Sequence, residues 1–476
     1  MDYDKDLLAR QEARDLARKA KKAQVKLAQM PQEKLDAIVE AVAKAFSHEA
    51  VALAEMAVRE TGFGNREDKV IKNRFASERV AEAVRGMKTV GLLREDRENR
   101  LWEFGVPVGV IAAIVPSTNP TSTVCYKTII ALKSGNSIVF SPHPKALECT
   151  RQAAKIVAKA AVEAGAPEGA VECLSIPSLQ GCQELMGCEW VNLILATGGP
   201  GMVKAAYSSG KPAIGVGAGN VPAYIHASAD VTAAVECILR SKTFDNGTVC
   251  ASEQSIIVEK AMEETVLREC RSRGFHMMEK GEAAALARLL FKPNGGLSPN
   301  VVGKSAEQLA QMAGFSAPRG TRILMARENQ AGPSVPYSME KLCPVLAFYV
   351  MEDEKAVLDK VVELLTHEGK GHTFAIHAKD EAVIRRFAAA VPVSRILVNT
   401  PAALGGIGSS TGLFPALTLG CGAVGGSASS NNISPLDLIN IRRVAWGTEE
   451  NQAPPKVRMD SDLVELLTKK ILERLG

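Results

Sequence analysis

The sequence predicts an α/β protein of more than one domain, and three observations carry that prediction. The chain has 476 residues, more than one ordinary core holds. From about residue 126 onward, short apolar strands alternate with amphipathic helices. Several of those strands end in small polar or glycine-rich turns, where α/β proteins keep their ligand crevice. A charged fraction of 23% and a hydrophobic fraction of 46% belong to a globular chain. The formal net charge of +4 gives no case for nucleic acid. The longest apolar runs, such as Val108–Val115, are strand-length and far short of a membrane span. The N-terminus lacks an apolar signal core, so an intracellular protein is expected. Ten cysteines are scattered without CxxC pairs or Cys/His clusters, which predicts free thiols and no metal site.

In chain order, residues 5–90 are Ala-, Lys- and Glu-rich at helical spacing, with a helix start at Pro31 and a break at Gly62–Gly64. This segment promises packing rather than chemistry. Residues 99–115 turn to strand and end in Pro116-Ser-Thr-Asn119-Pro120-Thr121. Asn119 is there either a turn residue or an amide donor aimed at a developing oxyanion. A helix over 126–133, a strand over 137–140, a helix over 146–164 and strands over 171–176 and 191–195 follow. The turn Ala196-Thr197-Gly198-Gly199-Pro200-Gly201 then opens a helix, a place where backbone N–H groups can face a phosphate. The glycines of 213–220 bring the backbone close to a ligand or a neighbouring chain. A second α/β unit starts near 228, with helices over 230–241, 261–272, 354–365 and 381–390 and strands over 255–258, 322–325, 374–377 and 395–398. The Gly/Ser-rich residues 405–426 read as a loop laid against a ligand or a subunit. Beyond a Gln452–Pro455 linker, Leu463, Leu467, Ile471 and Leu475 form an i, i+4 stripe on a last helix. That helix either folds back on its own domain or docks on a partner groove.

One stretch concentrates chemistry: Thr243-Phe-Asp-Asn-Gly-Thr-Val-Cys250-Ala-Ser-Glu-Gln254. Asn-Gly-Thr is turn material rather than core material, so Cys250 stands at the mouth of a pocket as a candidate nucleophile. A buried, inert thiol is the alternative. The other cysteines read as packing residues, with Cys421 in doubt because of its Gly-rich surroundings.

Taken together, Pro116–Thr121, Phe244–Cys250, Glu340-Lys-Leu-Cys-Pro-Val345 and Leu417-Thr-Leu-Gly-Cys-Gly422 resemble the aldehyde dehydrogenase superfamily, specifically its CoA-acylating branch of propanal and acetaldehyde dehydrogenases. The resemblance covers roughly residues 31–446. It implies a Rossmann-type cofactor domain with the N-terminal helices (1–96 and 109–226) and an α/β catalytic domain (227–425). It further implies oligomerisation strands (97–108 and 426–449) and a terminal linker and helix (450–476). By the same resemblance Cys250 is the nucleophile and Asn119, with the Cys250 N–H, the oxyanion site. Thr197, Gly198 and Gly199 form the cofactor turn, and Glu340 orients the nicotinamide ribose. Pro142 and His143 belong to the loop facing the adenosine ribose. Hydrolytic members carry a glutamate base in a turn that here reads Val216-Gly217-Ala-Gly-Asn220, with no carboxylate. That departure implies transfer of the acyl group to CoA rather than to water. His372 is expected, ahead of His143, to help deprotonate the CoA thiol.

The cofactor implied is NAD, with NADP open because Lys145 stands where no acid reads the ribose. A homodimer or homotetramer is implied as well. The last helix resembles encapsulation peptides, which implies a cytoplasmic enzyme inside a bacterial microcompartment, in contact with shell or core proteins. A charged aldehyde, such as sulfoacetaldehyde or succinate semialdehyde, and a catalytically silent scaffold are the other readings.

Overall fold

The computed structural model describes residues 4–292, 295–447 and 461–475. The first helix, Lys5–Leu27, buries Ala9, Ala13, Ala17 and Ala20 at three- and four-residue spacing. Alanines on that stripe let the backbone approach the helix Leu179–Gly187 closely, with a Cβ built at Gly181 only 3.1 Å from the Ala9 methyl. Pro31 leads into the helix Gln32–His48, and Gly62, at φ +68°, ends Ala50–Thr61 as a left-handed cap. The next helix, Arg66–Arg74, is capped by Asn65, whose side chain accepts from the Asp68 N–H. It runs through a π turn at Phe75–Arg79 into Val80–Val84.

Fifteen strands in the described residues form three sheets. β1 (Gly91–Asp96) and β2 (Leu101–Pro107) pair antiparallel, and β15 (Ile439–Ala445) adds to β2 from the far end of the chain. The second sheet takes β3 (Val110–Ile114), β4 (Ser137–Ser141), β5 (Val171–Cys173), β6 (Leu193–Thr197) and β7 (Ala213–Val216) in the order 5-4-3-6-7, all parallel. Strand order reverses between β3 and β6, the switch point of a Rossmann-type sheet, where the carboxyl ends part and leave a crevice. The third sheet holds β8 (Val221–Ile225), β9 (Glu253–Glu259), β10 (Phe275–Met277), β11 (Ile323–Arg327), β12 (Val345–Met351), β13 (Gly371–His377) and β14 (Val393–Val398). It is parallel throughout, in the order 10-11-12-9-8-13-14.

Both parallel sheets are covered on their faces by helices, so their strands are apolar runs buried on both sides. The helix Pro120–Lys133, opened by Pro at its first position, is buried along its whole length behind the crevice.

The expected α/β alternation is present, with three corrections. β1 falls in residues 91–96, to which no element was assigned; Arg94-Glu95-Asp96 lacks apolar alternation, as a largely solvent-facing edge strand can. β13 starts at Gly371 rather than Phe374, which draws His372 into the sheet. The helices Lys280–Leu290 and Ala306–Met312 lie in a stretch left without elements. The Gln452–Pro455 linker lies outside the described residues, and the last helix spans Ser461–Leu475. No described helix is long and apolar enough to cross a membrane.

Candidate active site

A cavity of about 450 Å³ opens between the carboxyl ends of the two parallel sheets. After β3 come Pro116–Asn119, after β6 Thr197–Gly199, and after β7 Val216–Ala218; Thr248 and Cys250 come from the turn before β9. Of the residues singled out from sequence, it brings together Cys250, Asn119, Thr197, Gly198, Gly199, Glu340, His143 and Gly217. Pro142 lines an adjoining cleft with Ser178, Leu179 and Met202, and the two spaces share Pro116, His143, Thr197, Gly198 and Gly199.

The turn before Cys250 is held in a conformation that side chains rarely adopt. Asp245 and Asn246 have φ of +47° and +50°, and Gly247 follows at +74°. What holds it is the Asp245 carboxylate, fully buried, which accepts from Lys69 Nζ (2.9 Å), Lys72 Nζ (2.5 Å), the Thr248 hydroxyl (2.7 Å) and the Asn65 N–H (2.9 Å). Burial opposes its ionisation, but the two ammonium groups outweigh burial and hold the carboxyl below its usual range. Lys72 also donates to Asn119 Oδ1 at 2.6 Å, and Lys69 to the Thr118 carbonyl at 3.0 Å. The helix Arg66–Arg74 thus ties the Cys250 turn to the Asn119 turn. Cys250 itself is partly buried; its enclosure, and then the neighbouring Glu340, push the thiol up to about 12.

Opposite Cys250 runs the segment 216–220. A Cβ on Gly219 would lie 1.7 Å from the Cys250 carbonyl oxygen, so only glycine fits there. The Gly219 N–H donates to Glu340 Oε1 at 2.8 Å. Burial, then repulsion from Glu368, push Glu340 up to about 8, so the carboxyl that lines this cavity is largely protonated at neutral pH. Gly217 faces open space, with nothing within 4 Å of a Cβ built on it.

The shared wall suits a dinucleotide. The Thr197 hydroxyl is buried without a hydrogen-bond partner, leaving a donor for a ligand. Gly199 caps the helix Pro200–Tyr207, whose N-terminus faces the crevice side of β6, a favourable end for a phosphate. His143 Nδ1 accepts from the Lys145 N–H, which leaves its other nitrogen open, and burial followed by Lys145 pulls its pKa down.

His372, expected to help deprotonate the CoA thiol, lies in the sheet beside Arg395, which accepts no proton but donates to the His372 carbonyl at 3.0 Å. His372 is a fully buried strand residue on β13, its Nδ1 bonded to the Thr373 hydroxyl, and it lines neither space. Burial, then Arg395, push it down to about 3. Conversely, Lys69, Lys72 and Asp245 were passed over. Asp245 stood inside the Cys250 stretch, while nothing in Arg66–Arg74 marks two of its lysines as buried, because lysine is rarely so. Phe63, Leu297, Pro299, Val302, Leu342 and Leu417 complete the lining with apolar surface.

A model of the aldehyde dehydrogenase family matches residues 6–283. The bifunctional aldehyde-alcohol dehydrogenase AdhE of Escherichia coli (strain K12) is 45% identical over 439 residues, which is 91% of this chain and 49% of that protein. The chain thus spans about half the length of the curated aldehyde-alcohol dehydrogenases it matches. Among solved structures, a probable aldehyde dehydrogenase from Listeria monocytogenes EGD-e is 53% identical, with TM-score 0.92 over 94% of this chain and 98% of that one. An acetylating aldehyde dehydrogenase from Geobacillus thermoglucosidasius is 47% identical, with TM-score 0.92 over 95% and 100%. A propionaldehyde dehydrogenase from the Clostridium phytofermentans fucose utilisation bacterial microcompartment is 30% identical, with TM-score 0.82 over 90% and 96%.

Proposed function

The chain belongs to the aldehyde dehydrogenase family, and from that membership we propose that it oxidises a short aldehyde, propanal or acetaldehyde, to its acyl-CoA with reduction of NAD(P). One observation carries the reading: Cys250 and Asn119 share a cavity with the Thr197–Gly199 turn, and the 216–220 segment facing Cys250 holds no carboxylate to activate water.

In this reading the Cys250 sulfur adds to the aldehyde carbon, and the oxygen takes the electron pair of the C=O bond. Asn119 Nδ2 and the Cys250 N–H donate to that oxyanion. When bound, NAD(P) supplies the hydride acceptor and a positive ring that favours the Cys250 thiolate. Loss of hydride restores C=O and leaves an acyl-Cys250 thioester. The CoA sulfur then attacks that carbonyl and Cys250 leaves as the thiolate, one thioester exchanged for another, so the reaction runs both ways. His143 is the histidine available to take the CoA proton. Thr197 and Gly198–Gly199 hold the cofactor phosphates and ribose, Pro142 and His143 its adenosine side, and Glu340 the nicotinamide ribose. The five-stranded sheet, which ends with β7 at Val216, is then the core of the cofactor domain with the helices of 1–96, and the seven-stranded sheet, which takes in β8 at Val221–Ile225, is the core of the catalytic domain.

The apolar lining favours a short uncharged aldehyde over sulfoacetaldehyde or succinate semialdehyde. Lys145, the cationic side chain among the lining residues, sits on the cofactor loop after β4. Ile441 and Val444, exposed along the edge strand β15, and Trp446 just beyond its end support subunit pairing through the three-stranded sheet. The last helix exposes Leu463, Leu467, Ile471 and Leu475, a stripe suited to docking on a microcompartment shell or core protein.

The test is cofactor reduction with propanal, with and without CoA, in the purified protein and in Cys250→Ala. The reading requires CoA-dependent turnover that vanishes in the variant. Equal turnover without CoA would mean that water reaches the thioester.

A further inference from the structure

We infer that Lys72 is a positioning residue of the oxyanion site: its buried ammonium holds the Asn119 amide in the one orientation that turns its N–H edge toward the oxygen on Cys250. The inference rests on the reading above in taking Cys250 and Asn119 as the reacting pair. An asparagine amide can turn over and exchange Oδ1 for Nδ2, and only one of the two states offers an oxyanion a donor. An ammonium has three donors and no acceptor, so it tolerates only the oxygen. Lys72 Nζ lies 2.6 Å from Asn119 Oδ1, 2.5 Å from Asp245 Oδ2 and 3.0 Å from Thr248 Oγ1. Its three protons meet three oxygens. The side chain is 2% exposed and so shut off from bulk solvent. Flipping Asn119 would set an NH₂ group against the ammonium. In the orientation held, Nδ2 gives one proton to Thr118 Oγ1 at 3.2 Å and keeps the second for the cavity.

Charge balance points the same way. Lys69 already reaches Asp245 at 2.9 Å and suffices to neutralise one carboxylate. A second buried ammonium on the same oxygen is an excess positive charge: burial, and Lys69 with it, pull Lys72 down to about 8 against the opposing pull of Asp245 and Asp68. Such a charge costs stability unless an anion forms beside it. The anion that forms here is the oxygen next to Asn119, whose amide Lys72 polarises as well as orients.

The probe is 4-nitrophenyl acetate, which needs neither cofactor nor CoA. The Cys250 sulfur attacks the ester carbonyl, an oxyanion forms, and 4-nitrophenolate leaves with its electron pair to give acetyl-Cys250. Asn119→Ala should slow this burst on the order of 100-fold. Lys72→Met should slow it at least about tenfold, and the double variant should be no slower than Asn119→Ala alone. Alkylation of Cys250 by iodoacetamide passes through no oxyanion and should change less than about threefold in each variant. An unchanged burst in Lys72→Met overturns the inference. So does a loss that multiplies with Asn119→Ala and slows alkylation equally, the mark of a merely structural role. If Lys72→Met does not fold, Lys72→Gln enters the same cycle: it can still donate to Asp245 but can also offer Asn119 a carbonyl, and it should lose burst rate and not alkylation rate. A Cys250-dependent burst without CoA-dependent aldehyde oxidation would sink the proposed activity and leave the Lys72 cycle to be read. Absence of any Cys250-dependent burst would overturn both.

Discussion

Glu340 shows at the residue scale how one buried carboxyl links pH to stability. Burial, then Glu368, raise it from 4.5 to about 8. Between those values the folded protein holds a proton that the unfolded chain has lost, so this contribution is full at low pH and is lost as pH rises through about 8. Glu340→Gln is permanently neutral, so its melting temperature should gain on that of the natural protein from pH 5 to 8 and hardly further above. A melting difference independent of pH would contradict the assignment. Single residues were legible in the sequence where their neighbours were odd: Cys250 stands behind Asn-Gly-Thr and Asn119 between Thr and Pro. Lys72 was not, because a lysine among Arg, Glu and Asp on a helix reads as solvated and only the tertiary structure buries it. The place of His372 in a strand was not legible either, because Gly-Lys-Gly before it reads as a loop, whereas the strand begins one residue earlier.

At the scale of elements, the site depends on a backbone approach between 216–220 and the Cys250 turn. Gly219→Ala would drive a Cβ into the Cys250 carbonyl, and neither backbone can yield cheaply. A loss of about 1–3 kcal/mol in thermal or denaturant unfolding is expected, with slower acylation as Cys250 is displaced. Gly217→Ala, with open space around it, should stay within about 0.5 kcal/mol of the natural protein. Equal losses at both positions would argue against the close approach. The buried parallel strands were legible because their apolar runs end in glycine and proline. β1 was not, since an exposed charged edge strand carries no such signal.

In the whole molecule a Rossmann-type sheet and a seven-stranded sheet meet across one cavity, and the last helix presents an apolar stripe. Deleting residues 448–476 should leave CoA-dependent turnover of the purified enzyme unchanged while abolishing its co-sedimentation with microcompartment shells. Lost turnover would mean that the helix serves its own domain. Alternation and turn chemistry made the sheets readable, but their meeting at Asp245, Lys72 and Asn119 joins residues up to 173 apart in sequence and has no local signature. Acylation of Cys250 is read most directly from the mass of the intact protein after mixing with propanal and NAD in the absence of CoA. One propionyl group is expected on Cys250, stable until CoA is added and then released as propionyl-CoA. An unmodified Cys250 while reduced cofactor accumulates would contradict it.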